Sequence, residues 1–156
     1  HLSSDDKALI APPFTHIFGL ECFHNTLVTG GTVIPLAQYN PQTFAEMLEA
    51  TQPTVIYAAP AHLAGALKSG NLGARKLDSV RQVILGGSIC PPQVAADFES
   101  HLPNGRVGNL FGMTEVLLTT QTPMDQNAFV RHSTIGRPVP GISARIMSKQ
   151  GREVLP

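Results

Sequence analysis

The segment Phe111 to Glu115 (FGMTE) holds the side chains best suited to bind a phosphorylated ligand. The ring of Phe111 can stack on a heterocycle, and the hydroxyl of Thr114 can hydrogen-bond a phosphate oxygen. The carboxylate of Glu115 is the kind of ligand that holds a Mg²⁺ ion bridging phosphates. In an alternative, Thr114 and Glu115 begin a helix, whose positive end favours a carboxylate and whose N–H groups could meet a phosphate. Spacing alone leaves both interpretations open.

A second candidate site is the turn formed by Gly86, Gly87 and Ser88, directly after an apolar run. Small residues let a ligand approach the backbone, so this turn could pass beside a flat ring or chain. The simpler interpretation is a tight turn. The stretch VILGGSICPP also has the strand, turn and helix layout of a hydrolase elbow with Ser88 as nucleophile. Cys90, however, stands where that elbow requires glycine.

His16 lies in PPFTHIFGL, where an apolar run gives way to a helical pattern. A histidine here could orient a substrate carboxylate or gate a pocket. The alternative is a partly buried histidine bonded to the backbone. Phe18, two residues later, is of a type found more often in a core than in a pocket wall.

The elements that must position these residues begin with short apolar runs bounded by turn residues. Continuous apolarity is typical of strands buried on both faces of a parallel sheet, and run length favours strand over buried helix, although periodicity alone does not separate them. The runs are ALIAPP at 8–13, TVIPL at 32–36, TVIYAAP at 54–60, QVILGG at 82–87 and RVGNLFG at 106–112.

Helical patterns lie between these runs. Asn40 and Pro41 form a capping pair that predicts a helix over 41–50. The other predicted helices cover 16–30, 60–68 and 92–102. The alternation indicates an α/β fold with a mainly parallel sheet flanked by helices, in which ligands bind beyond the carboxyl ends of the strands.

After Thr122 the composition changes. A polar stretch over 123–134 predicts a loop, and the alternating ISARIMS predicts a more exposed sheet. We therefore divide the chain into an α/β core segment, 1–122, and an incomplete β subdomain that starts within 123–156.

Composition excludes several classes of protein. Hydrophobic residues make up 42% of the 156 residues and charged residues only 14%, which excludes a disordered chain. Eleven basic and eleven acidic residues cancel, so nucleic acid is not an expected partner. No run approaches the roughly 20 apolar residues that a membrane span needs. Cys22 and Cys90 lie far apart, as free thiols of a cytoplasmic protein would.

Four segments in order, PPFTHIFGL, VILGGSICP, NLFGMTE and IGRPVPG, resemble the adenylate-forming (AMP-binding) superfamily of acyl- and aryl-CoA synthetases, carrier-protein adenylation domains and luciferases. NLFGMTE is the most specific, since it is similar to the family's aromatic-Gly-x-Thr-Glu motif. The form LFGMTE and the histidine of PFTHIFG look more like acyl- or aryl-CoA ligases than amino-acid-activating domains.

The resemblance implies an ATP-dependent acid-thiol ligase that converts a fatty or aryl acid to acyl-AMP, with Mg²⁺, and then transfers it to coenzyme A or a carrier-protein thiol. By motif, Thr114 would contact the α-phosphate and Glu115 would bind Mg²⁺, while His16 would line the carboxylate end of the acid. Nucleotide-binding positions would be Gly86, Gly87, Ser88, Leu110, Phe111 and Gly112, with Phe111 against the adenine. Phe18 and Leu110 would face the acyl group.

This sequence departs from the family pattern in several places. Leu110 replaces a glycine that is common in plant-type aryl ligases, so we expect a shorter acyl pocket. No Ser/Thr/Gly-rich phosphate loop precedes His16, and TGGT at 29–32 lacks the lysine that would make it one. We therefore expect the central slice of a large amino-terminal domain, with at most weak nucleotide or acyl affinity when isolated.

Two other functions remain open on the sequence alone. One is a non-catalytic nucleotide-binding or interaction module that keeps the sheet without the chemistry. The other is an α/β-hydrolase, in which Ser88 would need Asp97 with His101 or His132 as partners. The histidines show none of the short spacings of zinc sites.

Overall fold

The computed structural model describes residues 2–73 and 75–154. Its strands are β1 (Lys7–Ile10), β2 (Thr32–Pro35), β3 (Val55–Ala58), β4 (Gln82–Leu85), β5 (Arg106–Met113), β6 (Leu117–Gln121), β7 (Arg137–Pro138), β8 (Ile146–Met147) and β9 (Glu153–Val154). Its helices are α1 (Ile17–Val28), α2 (Pro41–Thr51), α3 (Pro60–Ser69), α4 (Pro92–Glu99) and α5 (Ala128–Ser133).

The main sheet has the strand order β2-β1-β3-β4-β5-β6-β7. The first five strands in that order are parallel, and β6 and β7 continue the sheet in antiparallel pairing. The predicted α/β fold with a mainly parallel sheet is therefore confirmed. Because β1, β4 and β5 are parallel, their carboxyl ends meet at one edge of the sheet.

The two faces of the sheet bury separate clusters of side chains. On one face, Phe44 of α2, Leu63 of α3 and Phe98 of α4 are fully buried against the strands. On the other face, Phe18 and Cys22 of α1 pack in a smaller cluster. Neighbouring strand residues point to opposite faces, so each parallel strand serves both clusters and reads as a continuous apolar run.

Local capping explains where α2 begins, and α4 ends earlier than the sequence predicts. The Oδ1 atom of Asn40 accepts a hydrogen bond from the N–H of Thr43 at 2.8 Å, and Pro41 occupies the first turn of α2. Helix α4 ends at Glu99, three residues before the predicted end at Leu102. Leu102 is nevertheless buried in the same core cluster, because a hydrogen-bonded turn, with the N–H of Leu102 donating to the carbonyl of Glu99 at 2.9 Å, follows directly on the helix.

The segment predicted as a loop over 123–134 contains α5. Asn127 caps this helix by accepting a hydrogen bond from the N–H of Val130 at 3.0 Å. Six residues are too few to show a helical period, so the sequence pattern misses it. Strand β7 then joins the main sheet, and β8 and β9 form a separate two-stranded sheet.

Two further features concern membrane-spanning helices and the two cysteines. Within residues 2–73 and 75–154, no helix has the length and apolarity required to cross a bilayer. Cys22 and Cys90 are both buried, free cysteines. Burial raises the pKa of each thiol, so neither side chain is poised to act as a nucleophile.

Candidate functional site

A pocket of about 260 Å³ lies at the sheet edge where β4 and β5 end and α1 begins. It is bounded on one side by the first turns of α1 and on the other by the hairpin that joins β5 to β6. Of the residues predicted to form the site, seven line this pocket: His16, Phe18, Gly87, Leu110, Gly112, Thr114 and Glu115. Residues from three separate sequence motifs therefore share one cavity.

Gly86 and Gly87 are required at this edge for different reasons. A Cβ atom at Gly86 would lie 2.7 Å from Leu110 Cδ1 and 3.2 Å from Phe18 Cζ, so the absence of a side chain lets Leu110 pack closely. Gly87 has a φ of +85°, a conformation that favours glycine. Gly86 is buried, whereas Gly87 lies in the pocket wall. Ser88 follows as an exposed residue outside the lining.

Thr114 and Glu115 lie in the turn of the β5–β6 hairpin, not at the start of a helix. The N–H of Val116 donates to the carbonyl of Met113 at 3.2 Å, which closes the turn. The interpretation of Thr114 and Glu115 as the start of a helix is therefore wrong. The helical N–H groups that it would have offered to a phosphate are not present at this turn. Both side chains are exposed toward the pocket, so their hydroxyl and carboxylate oxygens are accessible to a ligand.

Close backbone packing shapes the hairpin. A Cβ atom at Gly112 would collide with the carbonyl of Leu117. Leu117 has a φ of +55°, an uncommon conformation for a residue with a side chain, and it lines the pocket. The pairing register also shifts between Phe111 and Gly112. Strained residues of this kind cluster at functional sites, because the surrounding structure must hold them in place.

Phe111 lies at the edge of this arrangement and outside the pocket lining. Leu85 pairs with Asn109 in the parallel ladder, so Gly87 and Phe111 occupy neighbouring positions two residues farther along. Leu110 points into the pocket, and strand alternation turns Phe111 to the opposite face, where it is 38% exposed. A ring stacked on Phe111 would therefore lie beyond the pocket wall.

His16 is the N-cap of α1, and its Nδ1 atom accepts a hydrogen bond from the N–H of Phe18 at 3.2 Å. An Nδ1 atom that accepts requires the neutral ring to carry its proton on Nε2. His16 is exposed and lines the pocket, so the Nε2–H group is the donor that a ligand there can use. The ring therefore bonds to the backbone, as one interpretation predicted, but it is exposed rather than partly buried, and it also faces the pocket.

Glu21 also lines the pocket, and the sequence analysis did not identify it. Its Oε1 atom accepts a hydrogen bond from the N–H of Leu118 at 3.3 Å, which ties α1 to β6. Burial raises the pKa of Glu21, and the hydrogen bond from Leu118 only partly opposes this. The available signal was spacing: Glu21 follows Ile17 by four residues and therefore shares its helix face.

The pocket residues fit a Mg²⁺ ion held jointly by the protein and a bound phosphate better than an ion held by protein side chains alone. Among the described residues, no three His, Cys, Asp or Glu side chains are grouped so that they could hold a metal ion. The exposed carboxylate of Glu115 fits the role of a single protein ligand to Mg²⁺, because this ion is commonly held by one or two carboxylates together with substrate phosphates.

The hydrolase alternative does not fit the geometry. His101 Nδ1 lies 3.0 Å from the carbonyl oxygen of Arg75, and His132 Nε2 lies 3.1 Å from Glu99 Oε2. Asp97 accepts a hydrogen bond from Gln93 on its own helix. The partners that Ser88 would need are therefore engaged elsewhere, and the structure does not favour a catalytic triad.

Comparisons with known proteins agree with this arrangement. The chain is 30% identical over 146 residues to the 3-[(3aS,4S,7aS)-7a-methyl-1,5-dioxo-octahydro-1H-inden-4-yl]propanoyl:CoA ligase of Rhodococcus jostii (strain RHA1), covering 93% of this chain and 28% of that protein. ATP-bound MatB from Rhodopseudomonas palustris superimposes with a TM-score of 0.85 at 26% identity, over 98% of this chain and 30% of that one.

A benzoate CoA ligase from Burkholderia xenovorans LB400 superimposes with a TM-score of 0.86 at 25% identity, over 99% of this chain and 31% of that one. The chain thus spans less than a third of the length of each of these proteins. The model of the AMP-binding enzyme family matches residues 1–156. This match extends over every segment that forms the pocket, and the chain belongs to the AMP-binding enzyme family.

Proposed function

We propose that this chain is the central part of the large domain of an ATP-dependent ligase that joins a carboxylic acid to AMP and then passes the acyl group to a thiol. Coenzyme A is the proposed thiol, with a carrier-protein thiol as the alternative acceptor. The observation that carries the proposal is the meeting of His16, Gly87, Thr114 and Glu115 around one pocket. Membership of the AMP-binding enzyme family supports it.

The first reaction needs no protein nucleophile. An oxygen of the acid's carboxylate attacks the α-phosphorus of ATP, the bond from that phosphorus to the bridging oxygen breaks, and pyrophosphate leaves. Negative charge builds on the α-phosphate oxygens, so catalysis consists of positioning and charge stabilisation. In this proposal, the exposed hydroxyl of Thr114 donates a hydrogen bond to such an oxygen. Bound Mg²⁺, held by Glu115, would neutralise phosphate charge.

The acid's carboxylate is proposed to meet the Nε2–H group of His16. The cap on α1 occupies Nδ1, so the ring is held in one tautomer and one orientation. The carboxylate would also lie near the first turn of α1, where free N–H groups favour an anion. His16 therefore acts by orienting the attacking oxygen rather than by forming a bond to it.

The acid's body is proposed to extend along Phe18 and Leu110. Both side chains lie close to Gly86, where a Cβ atom would be 2.7 Å from Leu110 Cδ1 and 3.2 Å from Phe18 Cζ, and both line the pocket. The adenine is proposed to lie against the Gly87 backbone and reach the edge where Phe111 is exposed. The relatives that match include ligases named for a fused-ring propanoate and for benzoate, which supports a ring-bearing acid as substrate.

We also propose a cytoplasmic location. Its basis is that Cys22 and Cys90 are free and buried, as in proteins of reducing compartments. Supply of ATP and coenzyme A in the same compartment fits the proposed reaction.

The test is ATP–pyrophosphate exchange by the full-length protein that contains this chain. We expect Thr114→Val and Glu115→Gln each to lower the acid-dependent exchange rate at least about a hundredfold, since each removes charge stabilisation worth several kcal/mol. Glu153→Gln in β9, away from the pocket, is the control and should exchange at the wild-type rate. Exchange that is unaffected by the Thr114 and Glu115 variants contradicts their roles. ATP binding without exchange for any acid indicates the non-catalytic module instead.

A further inference from the structure

The two halves of the proposed site belong to elements that are distant in the sequence. His16 caps α1, whereas Thr114 and Glu115 lie in the turn of the hairpin formed by β5 and β6. The proposed attack on the α-phosphorus requires the acid at one half to meet the phosphate at the other. The position of the hairpin relative to α1 therefore sets the geometry on which the reaction depends.

Glu21 of α1 is the residue that joins the two halves. Its Oε1 atom accepts a hydrogen bond from the N–H of Leu118 at 3.3 Å, across 97 positions of the sequence. Within residues 2–73 and 75–154, this is the only hydrogen bond between α1 and the hairpin. Glu21 is partly buried in the pocket wall, so its carboxylate is held between the helix and the strand.

The hydrogen bond from Leu118 meets β6 at a β-bulge. Phe111 of β5 pairs with Thr120. The next residue of β5, Gly112, pairs with Leu118, so Thr119 is an extra residue on β6. A bulge disrupts the ladder locally and bends the strand, and bulges beside active sites aim the side chains there. Glu21 thus holds β6 from outside the sheet at the point where the ladder is disrupted.

The pairs that follow the bulge carry the turn of the hairpin. Met113 pairs with Leu117, and Thr114 and Glu115 come next in the chain. The backbone is tightly packed here, since a Cβ atom at Gly112 would collide with the carbonyl of Leu117. Closely packed segments transmit displacements instead of absorbing them. A shift of β6 at the bulge would therefore move the turn with it.

We propose that Glu21 is a positioning residue, which holds the hairpin against α1 so that Thr114 and Glu115 stand at a fixed distance from the acid. This inference rests on the proposed function, and it adds a residue that acts through the hairpin rather than by contact with the phosphates. The donor is a main-chain N–H, so the role requires an acceptor atom at the position of Oε1 and no charge.

The test is acid-dependent pyrophosphate exchange by the full-length protein at varied acid and Mg²⁺ concentrations. Glu21→Ala removes the acceptor, and we expect kcat to fall about tenfold to a hundredfold, as for a misplaced catalytic group. The Mg²⁺ concentration for half-maximal exchange should rise, because Glu115 is displaced. KM for the acid should stay nearly unchanged, because the cap that orients His16 does not involve the hairpin.

Two conservative variants separate the acceptor from the charge. Glu21→Gln keeps an oxygen acceptor at the same distance and should retain kcat within about twofold of the wild-type value. Glu21→Asp keeps the charge, but its carboxylate is one methylene group shorter and does not reach Leu118. We expect Glu21→Asp to lose kcat as Glu21→Ala does.

A double-mutant cycle tests whether Glu21 acts through Thr114. Thr114→Val removes the hydroxyl whose position Glu21 is proposed to set, so part of the effect of Glu21→Ala should be absent in that background. We expect the combined loss of kcat to be smaller than the product of the two separate losses by at least about threefold.

Thr120→Val is the matched control. Thr120 is also in β6 and is buried, and its hydroxyl donates to the carbonyl of Ile135 at 2.7 Å, in the segment that precedes β7. The substitution removes a hydrogen bond of the same strand that does not involve α1. We expect it to lower the free energy of unfolding while kcat and the Mg²⁺ dependence stay at their wild-type values.

Each other outcome overturns the inference. If Glu21→Ala changes only the stability, the contact is structural. If Glu21→Gln loses as much kcat as Glu21→Ala, the charge is what matters, and if KM for the acid rises while kcat is unchanged, Glu21 contacts the acid instead. All three results leave the proposed ligase function standing, because the wild-type protein still exchanges. Absence of exchange by the wild-type protein with every carboxylic acid would contradict that function itself.

Discussion

The main-chain N–H of Phe18 donates a hydrogen bond to the Nδ1 atom of His16 at 3.2 Å. One side chain thus ends the loop after β1, starts α1 and presents its Nε2–H group to the pocket. Capping residues are usually chosen from Ser, Thr, Asp and Asn, so a histidine in this place combines a structural role with a chemical one.

The two roles of His16 can be separated by substitution. Asparagine at this position can still cap the helix but lacks a donor at the position of Nε2, whereas alanine can do neither. We expect His16→Ala to lower the free energy of unfolding by about 1 kcal/mol and His16→Asn to leave it nearly unchanged. Both should reduce kcat/KM for the acid by about tenfold to a hundredfold, the range for one hydrogen bond to a charged group.

The measurements are denaturant unfolding and pyrophosphate exchange on the same preparations. A His16→Asn variant with wild-type exchange would show that the ring serves only as a cap. If His16→Asn lowers the free energy of unfolding as much as His16→Ala does, asparagine fails as a cap at this position.

Gly86 and Leu110 should show strong energetic coupling. In Gly86→Ala, the added methyl would stand 2.7 Å from Leu110 Cδ1, which must move toward the acyl pocket. We expect KM for the acid to rise in this variant and to recover in the double variant Gly86→Ala with Leu110→Ala, with a coupling energy of about 0.5–3 kcal/mol.

Gly105→Ala is the matched control for this cycle. Its new Cβ would lie 2.5 Å from the carbonyl oxygen of Val80, a backbone atom that cannot rotate away. This substitution should destabilise the fold, and Leu110→Ala should not relieve it. Additive effects of Gly86→Ala and Leu110→Ala would show that the two residues do not press on each other.

A buried ionic cluster behind β5 holds the strand that carries the NLFGMTE motif. Glu99 accepts hydrogen bonds from the N–H of Val107 at 2.6 Å and from Arg131, and it lies 3.1 Å from His132. Burial would raise the pKa of Glu99, but the Val107 N–H, Arg131 and His132 outweigh it and lower the pKa. The cluster joins α4, β5 and α5.

The lowered pKa of Glu99 predicts the sign of a pH effect on stability. The ionised carboxylate stabilises the folded chain above its ordinary pKa of 4.5, and this stabilisation is lost as pH falls through the lower, folded-state value. We expect Glu99→Gln to cost about 3 kcal/mol at neutral pH, since Arg131 is left buried without a charged partner, and to weaken the acid dependence of stability.

The control for Glu99→Gln is Glu49→Gln. Glu49 pairs with Arg75 at 3.2 Å, but both side chains are largely exposed, so the pair contributes less than about 1 kcal/mol. Urea unfolding across the acid range measures both variants. Equal effects of the two substitutions, or an unchanged acid limb in Glu99→Gln, would contradict the assigned role of the cluster.

Local patterns were sufficient for the parallel part of the fold. Strands such as Val55–Ala58 and Gln82–Leu85 are buried on both faces, so their apolar runs are visible without knowledge of their neighbours. Asn40 with Pro41 likewise specifies the start of α2 through contacts only a few residues apart.

Features set by distant contacts were not predictable in this way. Thr114 and Glu115 suit a helix start as well as a turn, and pairing of β5 with β6 decides between them. Glu21 shares a helix face with Ile17, but its place in the pocket also depends on packing of α1 against β6, a contact between residues distant in the sequence. Leu117 has a positive φ in the part of the hairpin where its carbonyl packs against Gly112, a contact that only strand pairing brings about.

The most direct measurement is a crystal structure of the full-length protein with an unreactive acyl-sulfamoyladenosine, an analogue of acyl-AMP. We predict that a sulfamoyl oxygen lies within hydrogen-bond distance of the Thr114 hydroxyl, that the acyl carbonyl oxygen faces His16 Nε2, and that the adenine lies against Gly87. An analogue bound elsewhere, with Thr114 and His16 contacting only solvent, would contradict the account.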